Sequence, residues 1–221
     1  MSLHSLLGPL LEPAVTLGGT PTSWAEVLGF VTGAINVWLV VRQHIANWPV
    51  GIANVLLLGL IFVDGGLYAD AGLQAVYVVL QAWGWWEWLY GGRDRGERVV
   101  QRTSRVEWAG IAAAGLAATG LLTWVLGTWT DSNVPFWDAL TTAVSLAATY
   151  GQSRKLLESW WLWIGADLIY IPLYAYKHLY LTSVLYVVFL ALCVAGLLAW
   201  RKDWTRRRTA SAPVASAAPW S

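Results

Sequence analysis

Apolar residues arrive in seven long runs separated by short polar stretches, at residues 25–41, 49–63, 71–90, 106–127, 136–151, 161–176 and 181–200. Inside them the polar and aromatic side chains keep helical spacing. Gln74, Tyr77, Gln81, Trp85 and Trp88 stand at intervals of three, four, four and three. Trp160, Trp163, Asp167, Tyr170 and Tyr174 stand at three, four, three and four. Each set falls on one face of an α-helix. An unpaired amide in lipid costs several kcal/mol. Gln74 and Gln81 therefore either bond to neighbouring helices or line a polar path. Asp167 lies about two turns inside its run, at 1.5 Å per residue. A carboxylate at that depth faces a bundle interior or water, or pairs with a hydroxyl in a packed core.

Composition agrees with a polytopic membrane protein. Of 221 residues 57% are hydrophobic and 12% charged, where soluble proteins carry about 25% charged residues. Mean hydropathy is +0.51. Net charge is only +1, but its distribution is informative. With seven spans, one side of the membrane holds Lys177 alone among the basic residues. The other holds thirteen, from Arg42 through the Arg93–Arg105 stretch, Arg154 and Lys155 to the five residues between Arg201 and Arg208. The positive-inside rule then predicts an outer N-terminus and a cytoplasmic C-terminus. An even number of spans would spoil the segregation.

The sequence has no GxxxxGK[ST] loop and no His/Cys/acidic cluster with metal-ligand spacing. Neither ATP-driven work by this chain alone nor a bound metal or other cofactor is expected. A membrane enzyme would need convergent acid/base groups at one depth, and Asp167 has no His or Cys near it in sequence. The lone Cys193 excludes an intramolecular disulfide. Residues 1–24 lack a basic leader and read as a short outer segment, not a signal peptide. Residues 205–221 read as a disordered cytoplasmic tail. Tryptophans near run ends (Trp24, Trp48, Trp88, Trp108, Trp129, Trp160, Trp200, Trp204) suit interfacial anchoring. Asp138 is expected to cap the fifth helix, and Glu87 to pair with a nearby arginine. The Arg93–Arg105 stretch is an orientation signal with anionic-lipid contacts, not a nucleic-acid patch.

A shift of 112 residues without gaps aligns Arg42 with Arg154, Trp48 with Trp160, Leu67–Tyr68 with Leu179–Tyr180, Gly84 with Gly196 and Trp88 with Trp200. Runs one to three thus repeat as runs five to seven, and a single intervening run keeps the two triplets parallel. Parallel three-helix repeats are one transporter plan, used by SWEETs. The expected fold is all-α with seven transmembrane helices, 3+1+3. Residues 25–105 form the first repeat with its basic loop, 106–127 the linker helix and 136–204 the second repeat.

The segments GIANVLLLGLIFVDGGLYADAGLQAVY, GWWEW, PFWDALTTAVSLAA and RKLLESWWLWIGADLIY resemble the bacterial PnuC-type nicotinamide riboside transporters over roughly residues 24–204. Relatives in that family carry riboflavin or thiamine. The resemblance implies a SWEET-like homotrimer in the bacterial inner membrane with one path per protomer. It would move nicotinamide riboside down its gradient, and phosphorylation inside the cell would trap the product. It also implies a central site at Asn36, Asn54, Gln74, Tyr77, Gln81, Trp163, Asp167 and Tyr170, although some members have Asn where this chain has Asp167. The chemistry suits such a vitamin. Indole and phenol faces attract a flat cation, amides pair with a carboxamide and ribose hydroxyls, and a carboxylate balances the positive ring. The Gln74–Tyr77–Gln81 and Trp163–Asp167–Tyr170 stripes are expected to face each other across the path.

Overall fold

The computed structural model describes residues 8–10, 12–17, 20–64, 68–130, 134–176 and 180–210. Seven long helices are found among them: α1 Trp24–Val41, α2 Asn47–Asp64, α3 Tyr68–Tyr90, α4 Arg105–Trp129, α5 Pro135–Ser153, α6 Ser159–Tyr176 and α7 Tyr180–Ala210. Lys177, the Gly65–Gly66 turn and the tail beyond residue 210 lie outside the described residues. Two strands precede α1. The hairpin of β1 (Pro13–Leu17) and β2 (Thr20–Ser23) is antiparallel, and Trp24 N–H donates to Glu12 O at 3.2 Å. An all-helical reading missed it, because four or five β-prone residues are too few for a clear alternation.

Local chemistry sets several helix ends. Ser104 and Glu107 make a reciprocal capping box at the start of α4. Pro135 opens α5, where a missing N–H costs nothing. The N-cap of α5 is Val134, with no side-chain cap, so Asp138 is not the cap; it stands in the first turn, where an acidic group favours the helix dipole. Helix α7 runs ten residues beyond Trp200, so the segment expected to be disordered is helical as far as Ala210. Its i,i+4 pair Asp203–Arg207 (3.0 Å) suits a charged helix leaving the bundle.

Six helices close into a ring in the order α1, α2, α3, α5, α6, α7 and back to α1, with α4 packed against α5. Among the described residues, α4 and α7 are the helices long and apolar enough to cross a bilayer by length and composition. The contact of α1 with α7 has its counterpart in that of α5 with α3.

The 112-residue repetition extends to individual bonds. Trp48 meets Trp88 edge to face, centroids 5.3 Å apart at 89°; Trp160 meets Trp200 at 5.3 Å and 88°. Trp88 Nε1 donates to Gln152 O (2.9 Å) and Trp200 Nε1 to Val40 O (3.0 Å). The loops after α1 and α5 match as well. Gln43 and Lys155 both adopt positive φ, 53° and 48°. His44 N–H donates to Leu39 O and Leu156 N–H to Gly151 O, at 2.9 and 2.8 Å. Gly84 lets the Trp48 ring lie against α3, and Gly196 does so for Trp160 on α7; a Cβ at either would collide with that ring.

These four indoles correct the interfacial reading. Trp48, Trp88, Trp160 and Trp200 are 4%, 3%, 0% and 0% exposed. Each is near a helix end in sequence, but it turns inward because a glycine or a carbonyl on a neighbouring helix receives it. Trp24 and Trp129 remain exposed, as anchors require.

Beneath this layer the α3–α4 connection is tied to the α5–α6 loop. Glu158 accepts from Arg102 Nε, Thr103 N–H and Thr103 Oγ1, each at 2.8 Å. Burial alone would raise the Glu158 carboxyl, but these hydrogen bonds hold it below its usual range. Glu87 pairs with Arg98 at 2.6 Å, as expected of it. Lys155 lies over the Trp88 ring, its Nζ 4.2 Å from the centroid. Burial pushes its ammonium down from 10.5 to about 8, against the opposing pull of Glu97; Arg207 lowers it and Asp203 raises it.

Two outcomes are expected. Gly84→Ala and Gly196→Ala should each cost about 1–3 kcal/mol through overpacking. They should lower the thermal midpoint in detergent, while Gly110→Ala, with nothing within 4 Å, should not. For Lys155, the charged form is penalised in the folded state, so the penalty is fully present below about pH 8 and relieved between 8 and 10.5. The penalty is about 3 kcal/mol. Native stability should therefore rise relative to Lys155→Met as pH increases through that window, read from paired thermal melts.

Candidate functional site

The ring encloses a cavity of about 460 Å³ lined from all six helices. Helix α1 contributes Asn36; α2 contributes Asn54 and Val55; α3 contributes Gln74, Tyr77 and Gln81. Helix α5 adds Thr142, Ser145, Thr149 and Gln152; α6 adds Trp163, Tyr170 and Tyr174; α7 adds Tyr186. Trp48 and Trp88 floor it at the end that carries Arg42, Arg154 and Lys155. No Asp, Glu, Lys or Arg is among its described lining residues.

Seven of the eight sequence-derived candidates line this one cavity. Tyr77 is hydrogen-bonded to Ser145. Gln81 extends its amide into the gap left by Gly51, where a Cβ would collide with Gln81 Oε1 and lie 3.1 Å from Asn36 Nδ2. Close approach is what the glycine provides there. Asn36 Oδ1 and Trp163 Nε1 are buried without a hydrogen-bond partner among the described residues. A free acceptor and a free donor beside a cavity are groups a ligand can satisfy. Asn54 is more committed. Its Nδ2 donates to Gly29 O (2.9 Å) and to Thr32 Oγ1 (2.6 Å), joining α2 to α1, which leaves its carbonyl oxygen for other partners.

Asp167 is the exception. It is 4% exposed and absent from the cavity lining. Its carboxyl is hydrogen-bonded with the Cys193 thiol on α7, and Oδ2 has no partner among the described residues. One helical turn separates it from Trp163 and from Tyr170, but it points into the α6–α7 seam. The two stripes therefore meet across one cavity through Trp163 and Tyr170, with the carboxylate behind the wall.

Sequence reasoning passed over Tyr186 and the full extent of the aromatic end. Tyr186 lies 4.7 Å from Tyr170 and 5.1 Å from Tyr174, centroid to centroid, and shares a hydrogen bond with Tyr174. The 112-residue shift could have found it, since it aligns Tyr186 with Gln74. Thr149 and Gln152 were also missed. Thr142, Ser145, Thr149 and Gln152 stand at intervals of three, four and three, a stripe on α5 that could have found them but was muted by the weak polarity of its hydroxyls; Thr149 also bonds back to Ser145 O at 2.8 Å.

A family model described as nicotinamide mononucleotide transporter matches residues 23–202. The chain belongs to this transporter family. It is thus a transporter and not an enzyme, of a multi-pass membrane type. Among curated relatives, the riboflavin/roseoflavin transporter RibM of Streptomyces davaonensis is 29% identical over 200 residues, covering 89% of this chain and 92% of that protein. The nicotinamide riboside transporter PnuC of Escherichia coli is 24% identical over 225 residues, covering 90% and 94%. A solved structure, the crystal structure of the vitamin B3 transporter PnuC, superposes with a TM-score of 0.66 at 27% identity. It covers 92% of this chain and 90% of the other. The family assignment and the ring of helices agree.

Proposed function

We propose that the chain carries nicotinamide riboside across the inner membrane by facilitated diffusion, with phosphorylation inside the cell trapping the product. The observation that carries this reading is the chemistry of the cavity wall: amides, hydroxyls and aromatic faces, with no charged side chain among the described lining residues. A carrier must release what it binds, and neutral groups hold a polar nucleoside without a deep well. A mononucleotide would bring a phosphate that finds no Arg or Lys on this wall. The dephosphorylated nucleoside is the better fit, despite the description of the family. Its pyridinium suits the Trp163 and Tyr170 faces, and its carboxamide and ribose suit Asn36, Gln74 and Gln81. Asp167 then lies behind the wall, hydrogen-bonded with Cys193 and out of contact with the ligand.

The same reading takes the fold as two parallel three-helix repeats joined by α4, SWEET-like. The bonds repeated 112 residues apart, and the equivalent α1–α7 and α5–α3 contacts, support it. It takes the Arg-rich end as cytoplasmic, from the positive-inside rule, and the assembly as a homotrimer in which each protomer keeps its own cavity.

Riboflavin is the second reading, favoured by the relative RibM at 29% identity. Thermal stabilisation of the purified protein by nicotinamide riboside, riboflavin, thiamine and nicotinamide mononucleotide separates them. Nicotinamide riboside should give the largest shift, and Gln81→Leu should abolish it while the unliganded midpoint stays in place. A shift with riboflavin alone would replace the first reading by the second.

A further inference from the structure

The indole layer at the basic end does more than pack. It is where the helices of the first half are bonded to those of the second. Trp88 on α3 donates to the carbonyl of Gln152 at the end of α5, and Trp200 on α7 donates to the carbonyl of Val40 at the end of α1. Val40 and Gln152 are themselves 112 residues apart. The two rings lie 6.1 Å apart, between the Trp48 and Trp160 rings that contact them. All four are at most 4% exposed, and Trp48 and Trp88 form the cavity floor.

We propose that Trp88 and Trp200 form the gate on the basic side, a pair of equivalent latches that must release together for the cavity to open there. This inference rests on the transport reading of the cavity. The floor rings Trp48 and Trp88 belong to the first half and are packed against Trp200 of the second, so the layer cannot part while either indole holds a carbonyl across the seam. Because the latches are equivalent, one movement of the halves breaks both. Trp48 Nε1 and Trp160 Nε1, again equivalent, are buried without hydrogen-bond partners among the described residues. The closed layer thus holds two made and two unmade indole bonds. Solvation of the unmade pair on opening offsets part of the loss of the made pair, so the gate closes without being locked. Lys155 over the Trp88 face and Val100 in the same cluster close the layer from outside.

The test uses thiol labelling and needs no substrate, so its failure is distinct from failure of the substrate reading. Thr149→Cys places a reporter in the cavity one turn above Gln152. Its reaction with a membrane-impermeant thiol reagent is measured from each side of proteoliposomes, with the chain carrying only Cys193 as background. Adding Trp88→Phe or Trp200→Phe keeps a ring and removes the N–H. Each should speed labelling from the basic side by about fivefold, the worth of one ordinary hydrogen bond, and to a similar extent. Unchanged labelling, acceleration by one variant alone, or equal acceleration from both sides would overturn the gate. A second measurement uses the native chain and holds even if the variants misfold. Indole N–H exchange followed by 15N NMR should be equally slow at Trp88 and Trp200. Clearly unequal protection contradicts a shared opening.

Discussion

Two hydrogen bonds from indole nitrogens to helix-end carbonyls hold the ring shut. Trp88 to Gln152 O and Trp200 to Val40 O join α3 to α5 and α7 to α1, the two seams where the halves meet. Each bond needs its ring at one depth and angle, which the edge-to-face partner supplies. Each partner ring in turn needs a glycine on the facing helix, Gly84 or Gly196. The chain of requirements runs from one missing Cβ to the closure of the bundle. Removing a link at the base moves the wall of the cavity above it.

Above that layer the symmetry ends, as it must for a ligand with no twofold axis. Gly51 has Trp163 as its counterpart, Gln81 has Cys193, and Gln74 has Tyr186. Five of the six amides that line the cavity come from one half, Asn36 and Gln81 among them, while the other half brings the α5 hydroxyls with Trp163 and the Tyr170–Tyr174–Tyr186 cluster; aromatic rings come from both. In the transport reading proposed above, the repeated frame would supply two halves that move, and the divergent inner positions one oriented site. The uncharged wall suits a carrier that must pass through an empty state, because a buried charge without a partner is costly whenever no ligand is bound.

Much of this was legible in sequence because helices in lipid must satisfy their own backbones and show polarity only where it is used. The stripes on α3 and α6 marked a shared interior, and seven of eight candidates line it. Asp167 shows the limit. Asp167 lies only about 40–60° around α6 from Trp163 and Tyr170 at 3.6 residues per turn, yet that turn takes it from the lumen to the seam, where its carboxyl is hydrogen-bonded with the Cys193 thiol on α7. Trp48, Trp88, Trp160 and Trp200 show another. A tryptophan near a helix end reads as an anchor unless the glycine that receives it, a full helix away in sequence, is weighed with it. The alignment already paired Gly84 with Gly196, yet only the packing reveals what the glycines admit. The β1–β2 hairpin was too short to announce itself.

The central claim is that an uncharged cavity carries the nucleoside down its gradient. Counterflow of labelled nicotinamide riboside in proteoliposomes, at equal pH and no membrane potential, tests it most directly. The account predicts rapid exchange that ends at equal concentrations, unaffected by an excess of nicotinamide mononucleotide and lost in Gln81→Leu. Competition by the mononucleotide at comparable concentration, or accumulation above equilibrium when a pH gradient is imposed, would contradict it.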